Sequence, residues 1–109
     1  MTFYPIVVLG KNENTVIVRP KERRDIINIK VPEGHILFLQ LLEIDKWYPD
    51  TEYQVFIDGE FVYSYKREGR YLYDPPYVVK RELRIVGINN SNEELPMGVF
   101  IDGVVLIKK

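Results

Sequence analysis

The chain has 109 residues, of which 46% are apolar, 28% are charged and none is cysteine. This length predicts a single domain spanning residues 1–109, and the lack of cysteine excludes disulfides, thiolate metal sites and cysteine nucleophiles. Fifteen basic residues nearly balance sixteen acidic ones, so no basic excess favours a nucleic-acid partner. We also find no apolar run of membrane-spanning length and no secretory signal at the N-terminus, and therefore expect no membrane partner.

Short β-branched and aromatic runs, interrupted by turn residues at intervals of roughly 8–12 residues, predict an all-β domain. The first strand is predicted over residues 4–9. After a turn that begins at Gly10, residues 15–19 are predicted to return beside it and to end at Pro20, which lacks the N–H group that a sheet needs. A third strand is predicted over residues 25–31.

The middle of the chain contains the clearest strand and turn signals. Residues 36–44 are almost continuously apolar, which predicts a central strand covered on both faces. A loop at residues 45–51 follows. The Asp58-Gly59 pair between two strand-forming runs then predicts a two-residue type I′ hairpin, because both central residues of that turn need positive φ.

The last third of the chain is predicted from the same kinds of signal. Residues 71–73 are expected to form a short strand that pairs beside residues 61–65, and Asp74-Pro75-Pro76 is expected to interrupt the sheet. Residues 77–88 predict one long strand. A second hairpin is predicted with its turn at Asp102-Gly103.

A repeated segment supports an internal duplication. Val55-Phe56-Ile57-Asp58-Gly59 recurs 44 residues later as Val99-Phe100-Ile101-Asp102-Gly103, and this offset aligns residues 32–63 with residues 76–107. Each part reads as a proline turn, a long apolar strand, a polar loop and an Asp-Gly pair. The pattern predicts a two-sheet antiparallel β-sandwich of about eight or nine strands, with jelly-roll-like or Greek-key connections.

The sequence offers little catalytic or metal-binding chemistry. A catalytic triad or a cupin-type metal site would depend on His35, the single histidine. The acidic loop at residues 45–52 has oxygen ligands suited to calcium, but its spacing differs from that of an EF-hand. We therefore predict a non-enzymatic protein with no catalytic residue, cofactor or metal. A small glycosidase or isomerase would need two carboxylates that converge in a pocket.

Aromatic residues are the enrichment that bears on function. Strand alternation predicts Phe61, Tyr63 and Tyr65 on one sheet face, and Trp47 and Tyr48 lie in a loop. These rings either fill the core of the fold or form an exposed surface that binds protein or stacks on sugar rings. The candidate interface or ligand residues are Trp47, Tyr48, Tyr63, Tyr65, Tyr71 and Tyr73.

The chain also resembles a group of viral proteins. The motifs concerned are Val31-Pro32-Glu33-Gly34, the two Phe-Ile-Asp-Gly segments and Val86-Gly87-Ile88-Asn89-Asn90-Ser91. This layout resembles small β-sandwich accessory proteins of tailed-phage and archaeal-virus particles, which include capsid decoration and appendage proteins. The resemblance implies a non-catalytic component that binds a capsid or forms an oligomeric, often trimeric, appendage. It carries over no site residue.

Together these observations predict a thermostable structural or assembly protein that forms a homo-oligomer, with a trimer favoured, or docks on a capsid-type surface. The resemblance places it in the virion, after assembly in the host cytoplasm. The alternative is a carbohydrate-binding module that uses Trp47, Tyr48 and the tyrosine-rich hairpin to bind a glycan.

Overall fold

A computed structural model describes residues 2–108, which form nine β-strands in two antiparallel sheets. Sheet A contains β1 (Thr2–Pro5), β2 (Glu13–Val18), β4 (His35–Ile44), β7 (Gly69–Val79) and β9 (Leu95–Ile107). Sheet B contains β3 (Glu22–Lys30), β5 (Thr51–Ile57), β6 (Glu60–Tyr65) and β8 (Glu82–Asn89). The predicted all-β, two-sheet sandwich is therefore confirmed. Within residues 2–108, no helix is both long and apolar enough to cross a membrane.

Sheet A is built on β9. One edge of β9 pairs with β4, and the other pairs with β2 along its first half and with β1 along its second half. β1 and β2 therefore lie end to end, and the predicted pairing of residues 4–9 with residues 15–19 is wrong. The reason is local, because a short 3-10 helix, Ile6–Val8, replaces the second half of the predicted first strand.

The hairpin between β5 and β6 has the predicted turn. Asp58 and Gly59 have φ values of 53° and 85°, and Ile57 pairs with Glu60 on either side of them. Two positive φ angles in a two-residue loop are the requirement of a type I′ turn. This prediction is confirmed.

The second Asp-Gly pair has a different structure. Asp102 and Gly103 lie inside β9, opposite a bulge where β4 contains one extra residue, Gln40. A Cβ at position 103 would lie 2.2 Å from the carbonyl oxygen of Phe38, so a glycine is needed for the two strands to approach. The predicted second hairpin is therefore wrong, and the two copies of the repeated segment fold differently.

The same bulge explains the long apolar run of β4. The extra residue reverses the alternation, so that core-facing positions have odd numbers before Gln40 and even numbers after it. These core-facing residues are Leu37, Leu39, Leu42 and Ile44. The central position of β4 is confirmed, since it pairs with both β7 and β9. The predicted cover on both faces is confirmed only in part for the outer face, where Leu41 is buried but Ile36 and Phe38 are half-buried.

β7 passes through the prolines that were expected to interrupt it. Leu41 of β4 pairs with Leu72, whereas Leu39 pairs with Tyr77, so residues 73–76 bulge out between the two points. The segment 71–73 thus belongs to sheet A, and its predicted pairing beside residues 61–65 is wrong because those residues lie in sheet B.

The predicted long strand over residues 77–88 is two strands in different sheets. A turn at Lys80 and Arg81 carries the chain from sheet A to sheet B. The Asp58 carboxylate holds this turn, since it accepts hydrogen bonds from the N–H groups of Lys80, Arg81 and Glu82 at 3.2, 2.7 and 3.0 Å. In return, the Asp58 N–H donates to the Glu82 carbonyl at 2.8 Å.

We expect Gly103→Ala to lower the free energy of unfolding by about 1–3 kcal/mol, because the added methyl group collides with a backbone oxygen that cannot rotate away. Urea unfolding at neutral pH measures the change. Gly10→Ala is the matched control, since a Cβ there would meet Ile29 at an ordinary contact distance of 3.6 Å. Equal losses in the two variants would contradict the close approach of β4 and β9.

We expect Asp58→Ala to cost about 1–3 kcal/mol, because it leaves three N–H groups of the turn without their acceptor. Asp102→Ala is the control, since the hydrogen bond that this carboxylate accepts within residues 2–108 is a local one, at 2.8 Å from the Gly103 N–H. Thermal or urea unfolding of both variants should show a clearly larger loss for Asp58→Ala.

The same substitution should show a pH dependence. Partial desolvation raises the pKa of Asp58, but the hydrogen bonds from the turn together outweigh it and hold the pKa below its usual value. A carboxyl with a lowered pKa in the folded state stabilises the fold above its unfolded pKa and loses this contribution as the pH falls. The difference between wild type and Asp58→Ala should therefore shrink below about pH 4. A constant difference down to acid pH would contradict this role.

Candidate functional site

Five tyrosines lie along one open edge of the sandwich, where β6 is the last strand of sheet B and β7 is the last strand of sheet A. This tyrosine cluster consists of Tyr63, Tyr65, Tyr71, Tyr73 and Tyr77. The ring centroids are 4.7 Å apart for Tyr63 and Tyr65, 4.1 Å for Tyr65 and Tyr71, and 4.7 Å for Tyr73 and Tyr77. The hydroxyls of Tyr65 and Tyr73 share a hydrogen bond of 2.7 Å. The two sheets thus meet here through side chains.

A bulge in β6 changes the predicted arrangement of its aromatic residues. Val62 is an extra residue, so that Tyr63 pairs with the core residue Val55 while Phe61 pairs with Phe56. The Phe56 and Phe61 rings meet edge to face at 5.8 Å. The prediction that Phe61 shares a face with Tyr63 is therefore wrong, because the bulge turns Phe61 to the outer face of sheet B.

Burial separates the members of the tyrosine cluster. Tyr65 is 8% exposed and Tyr63 is 54% exposed. Tyr71 and Tyr73 are half-buried and pack against the core. The cluster therefore completes the core along this edge, and Tyr63 is its most accessible ring.

Trp47 and Tyr48 belong to a separate place in the fold. They lie in the loop between β4 and β5, which is anchored by hydrogen bonds from the Tyr53 hydroxyl to the Lys46 carbonyl at 3.2 Å and from the Thr51 hydroxyl to the Tyr48 carbonyl at 2.6 Å. Both aromatic side chains are half-buried. None of the aromatic ring pairs between residues 2 and 108 includes either of them, so the structure does not join them to the tyrosine cluster.

The outer face of sheet A carries an apolar surface that the sequence reading missed. Cross-strand partners point to the same side of a sheet, so the strand register defines its rows. One row joins Phe3, Leu106 and Ile36, the next joins Pro5, Val104, Phe38 and Val78, and the third joins Asp102, an exposed carboxylate, with Leu41 and Leu72. We call this surface the apolar face; its members are Phe3, Ile36, Phe38, Leu41, Leu72, Val78, Val104 and Leu106.

The apolar face is accessible at its edges. Leu72 is 74% exposed, Phe3 is 59% exposed and Val78 is 45% exposed. The outer face of sheet B is different, since it carries the ion pair of Lys30 with Glu82 and that of Arg84 with Asp25. The two outer faces therefore differ, since the ion pairs lie on sheet B and most of the exposed apolar side chains named above lie on sheet A. The available signal in the sequence was the apolar run of β4, which predicted cover on two faces, whereas Ile36 and Phe38 on the outer face are only half-buried.

The surface of the described residues has several recesses, and one of about 220 Å³ is lined in part by Glu13, Asp45 and Lys46. Another of about 520 Å³ is lined in part by His35, Lys80, Arg81 and Lys108. The Nδ1 atom of His35 lies 3.1 Å from the Glu33 carbonyl oxygen. In the part of the chain that the structure describes, no group of three or more His, Asp or Glu side chains is arranged to hold a metal ion, and this includes the acidic loop at residues 45–52.

The chain shows little similarity to known proteins. No family model matches the chain, and no curated protein matches it. Among solved structures, the chain is similar to the crystal structure of FLHE, with 8% sequence identity, a TM-score of 0.49 and coverage of 100% of both chains. A likeness at this level carries no argument about function.

The buried hydroxyls of the tyrosines predict an alkaline sensitivity. Burial raises the pKa of Tyr53 to about 12. Burial, together with the hydrogen bond to Tyr65, also raises the pKa of Tyr73. A group with a raised pKa in the folded state contributes stability that is complete below its unfolded pKa and is lost as the pH rises through the folded value. Stability should therefore fall above about pH 10.

Urea unfolding between about pH 8 and pH 12 tests this expectation. Tyr73→Phe should make the alkaline loss smaller than in wild type, because one of the titrating groups is removed. Tyr63→Phe is the control, as its ring is 54% exposed. Identical alkaline profiles for wild type and Tyr73→Phe would rule out this origin of the loss.

Proposed function

We propose that this chain is a non-catalytic assembly protein that self-associates through the apolar face of sheet A. The observation that carries the proposal is the half-covered central strand. β4 is buried against the core on its inner side, while on its outer side Ile36 and Phe38 are only half-buried, next to Val78, which is 45% exposed. A second protein surface would bury the outer side of β4, which the apolar run of this strand predicts to be covered.

The size of the apolar face fits an interaction surface. It spans four strands at a spacing of about 4.8 Å and about six residues along β9 at roughly 3.3 Å each, which gives on the order of 400 Å² in projection. Contiguous exposed apolar patches of this size often mark binding sites. A specific interface of roughly 800 Å² per partner would therefore include polar residues around the apolar face as well.

The charges at the border of the apolar face favour a second copy as the partner. The bordering row runs from Glu13 on β2 through Phe100 and Glu43 to Arg70 on β7. An acidic group thus lies at one lateral edge of the sheet and a basic group at the other. Neither Glu13 nor Arg70 takes part in the ion pairs found between residues 2 and 108.

Two copies can stack face to face about a two-fold axis that runs parallel to the strands. This arrangement would form two equivalent ion pairs from these charges. Such an axis exchanges the lateral edges, so Glu13 of each copy lies opposite Arg70 of the other. The sheets would stack at about 10 Å, as the sheets of a sandwich do. Exposed ion pairs add little affinity, but they select orientation and partner.

The apolar face does not bear on the more specific predictions about the setting and the partner. The virion setting, the capsid-type partner and the trimer follow from the sequence resemblance and stay predictions. The glycan-binding alternative would need several exposed rings on one platform. The separation of Trp47 and Tyr48 from the tyrosine cluster, in which Tyr63 is the most accessible ring, favours the assembly role over it.

We expect Leu72→Lys to reduce self-association at least tenfold, because it places a charge in the apolar face at a position that is 74% exposed in the single copy. Light scattering over a hundredfold dilution measures the mass relative to the 12.9 kDa chain. Ile17→Lys is the matched control. Ile17 is 50% exposed on the same sheet, but it lies beyond the charged border, opposite Pro96.

A charge exchange tests the partner and the axis. Glu13→Lys should weaken association, and Glu13→Lys combined with Arg70→Glu should restore it, since the two sites face each other only across the two-fold axis. A wild-type protein of 12.9 kDa at every concentration, or equal effects of Leu72→Lys and Ile17→Lys, would sink the proposal.

A further inference from the structure

We propose that the free edge of β6 pairs with β6 of a second copy in antiparallel orientation, so that the sheets B of the two copies join into one continuous sheet. This contact uses a different surface from the apolar face of sheet A. It goes beyond the proposed function, because it provides a second and independent route of self-association.

β6 has an unused edge. It pairs with β5 on one side, and its other side pairs with no strand in the described part of the chain. The free edge of a strand presents N–H and C=O groups that can bind a further strand. Natural proteins therefore protect such edges with prolines, charges, bulges or covering segments.

The edge strand of sheet A at this side of the sandwich is protected. β7 contains Pro75 and Pro76, which have no N–H group to donate. The segment of residues 73–76 also bulges away from the regular register with β4. A strand added to β7 would meet a broken pattern of donors and acceptors.

The other edge of sheet B is protected by charges and by side-chain hydrogen bonds. β3 carries consecutive charged residues from Glu22 to Asp25, and its register is interrupted at Ile26. The Asn14 amide donates to the Ile26 carbonyl at 2.9 Å, and the Arg24 guanidinium donates to the Ile17 carbonyl at 3.0 Å. These bonds connect the edges of β2 and β3.

β6 lacks most of these defences. Its sequence is Glu-Phe-Val-Tyr-Ser-Tyr, with one charge at the first position and no proline. Phe61 and Tyr63 are 56% and 54% exposed, and they lie on opposite faces of the sheet. An added strand would cover both rings. The bulge at Val62 bends the hairpin end of β6, so we place the centre of the pairing near Tyr63, beyond which the register with β5 is regular.

The charges next to β6 select its own copy in antiparallel orientation. Glu60 begins the strand, and Lys66 and Arg67 follow its end. All three are exposed, and none belongs to the ion pairs of residues 2–108. Because Val62 adds a residue without advancing the register, antiparallel pairing centred at Tyr63 places Glu60 of each copy opposite Tyr65 of the other, next to Lys66. Parallel pairing would bring like charges together, which is unfavourable.

The aromatic residues fit the same arrangement. Tyr63 lies on the inner side of the edge and contacts Tyr65 at 4.7 Å between ring centroids. The two-fold axis would bring the Tyr63 rings of both copies close together. Neighbouring aromatic rings across paired strands stabilise a sheet.

Zero-length carbodiimide cross-linking of the wild-type protein tests the proposal directly. The protein is mixed from unlabelled and ¹⁵N-labelled batches, so that a link between two copies produces mixed-isotope peptides in mass spectrometry. We expect an amide bond between Glu60 and Lys66 with mixed labels. Within one copy these residues are roughly 16 Å apart along the bulged strand, which a zero-length reagent cannot span. Absence of the mixed Glu60–Lys66 link under conditions where the protein self-associates would overturn the proposal.

Two lysine variants separate this contact from the apolar face. Tyr63→Lys should reduce the Glu60–Lys66 link at least tenfold, because an inward-pointing lysine blocks an edge strand. Leu72→Lys should leave the link unchanged, as Leu72 lies on the outer face of sheet A. The converse result, with loss of the link in Leu72→Lys alone, would overturn edge pairing and assign the contact to the apolar face.

Hydrogen exchange on the wild-type protein provides a readout that does not depend on the folding of a variant. Strand pairing protects the backbone N–H groups that point to the free edge, so those amides of Glu60–Tyr65 should exchange at least tenfold more slowly at high than at low protein concentration. Exchange of the β6 amides that does not change with concentration would argue against the pairing, whatever the light-scattering mass shows.

Discussion

The carboxylate of Asp58 connects the two sheets at one end of the sandwich. The residue belongs to the hairpin between β5 and β6 in sheet B, and it accepts three hydrogen bonds from the turn that leads from β7 in sheet A to β8 in sheet B. Its positive φ of 53° also forms the hairpin turn itself. The hairpin and the crossover are therefore coupled. The placement of β6 and β7 as neighbouring free edges, with the tyrosine cluster between them, depends on this coupling.

The sequence predicted those parts of the fold that local interactions determine. The all-β class follows from short β-branched runs, and the Asp58-Gly59 turn follows from its backbone requirement. The second Asp-Gly pair has the same preceding residues, but its structure is decided by β4, a strand far away in the sequence. The turn at Lys80 and Arg81 has no glycine or proline of its own. It is held by the side chain of Asp58, which no local pattern could indicate.

The candidate interaction surfaces were predicted less completely than the fold. Alternation placed Tyr63 and Tyr65 together correctly, because the register beyond Val62 is regular. It could not predict the bulge that turns Phe61 away, or the contacts of Tyr71 and Tyr73 across the gap between the sheets. The apolar face was missed because exposure depends on which strands lie beside which. A run of apolar residues does not tell whether its second cover comes from the same chain or from another molecule.

Gly103 also restricts the register in which β9 can pair with β4. A slip of one residue would turn the core side chains of β9 outward, so the hydrophobic pattern excludes it. A slip of two residues keeps every side chain on its own face, and the pattern alone would accept it. Such a slip would bring Ile101 or Val105 to the position where a Cβ lies 2.2 Å from the Phe38 oxygen. Because glycine alone fits at this point, the close approach of β4 and β9 disfavours the shifted register. Steric contact thus distinguishes the native pairing from a mispairing that has the same hydrophobic pattern.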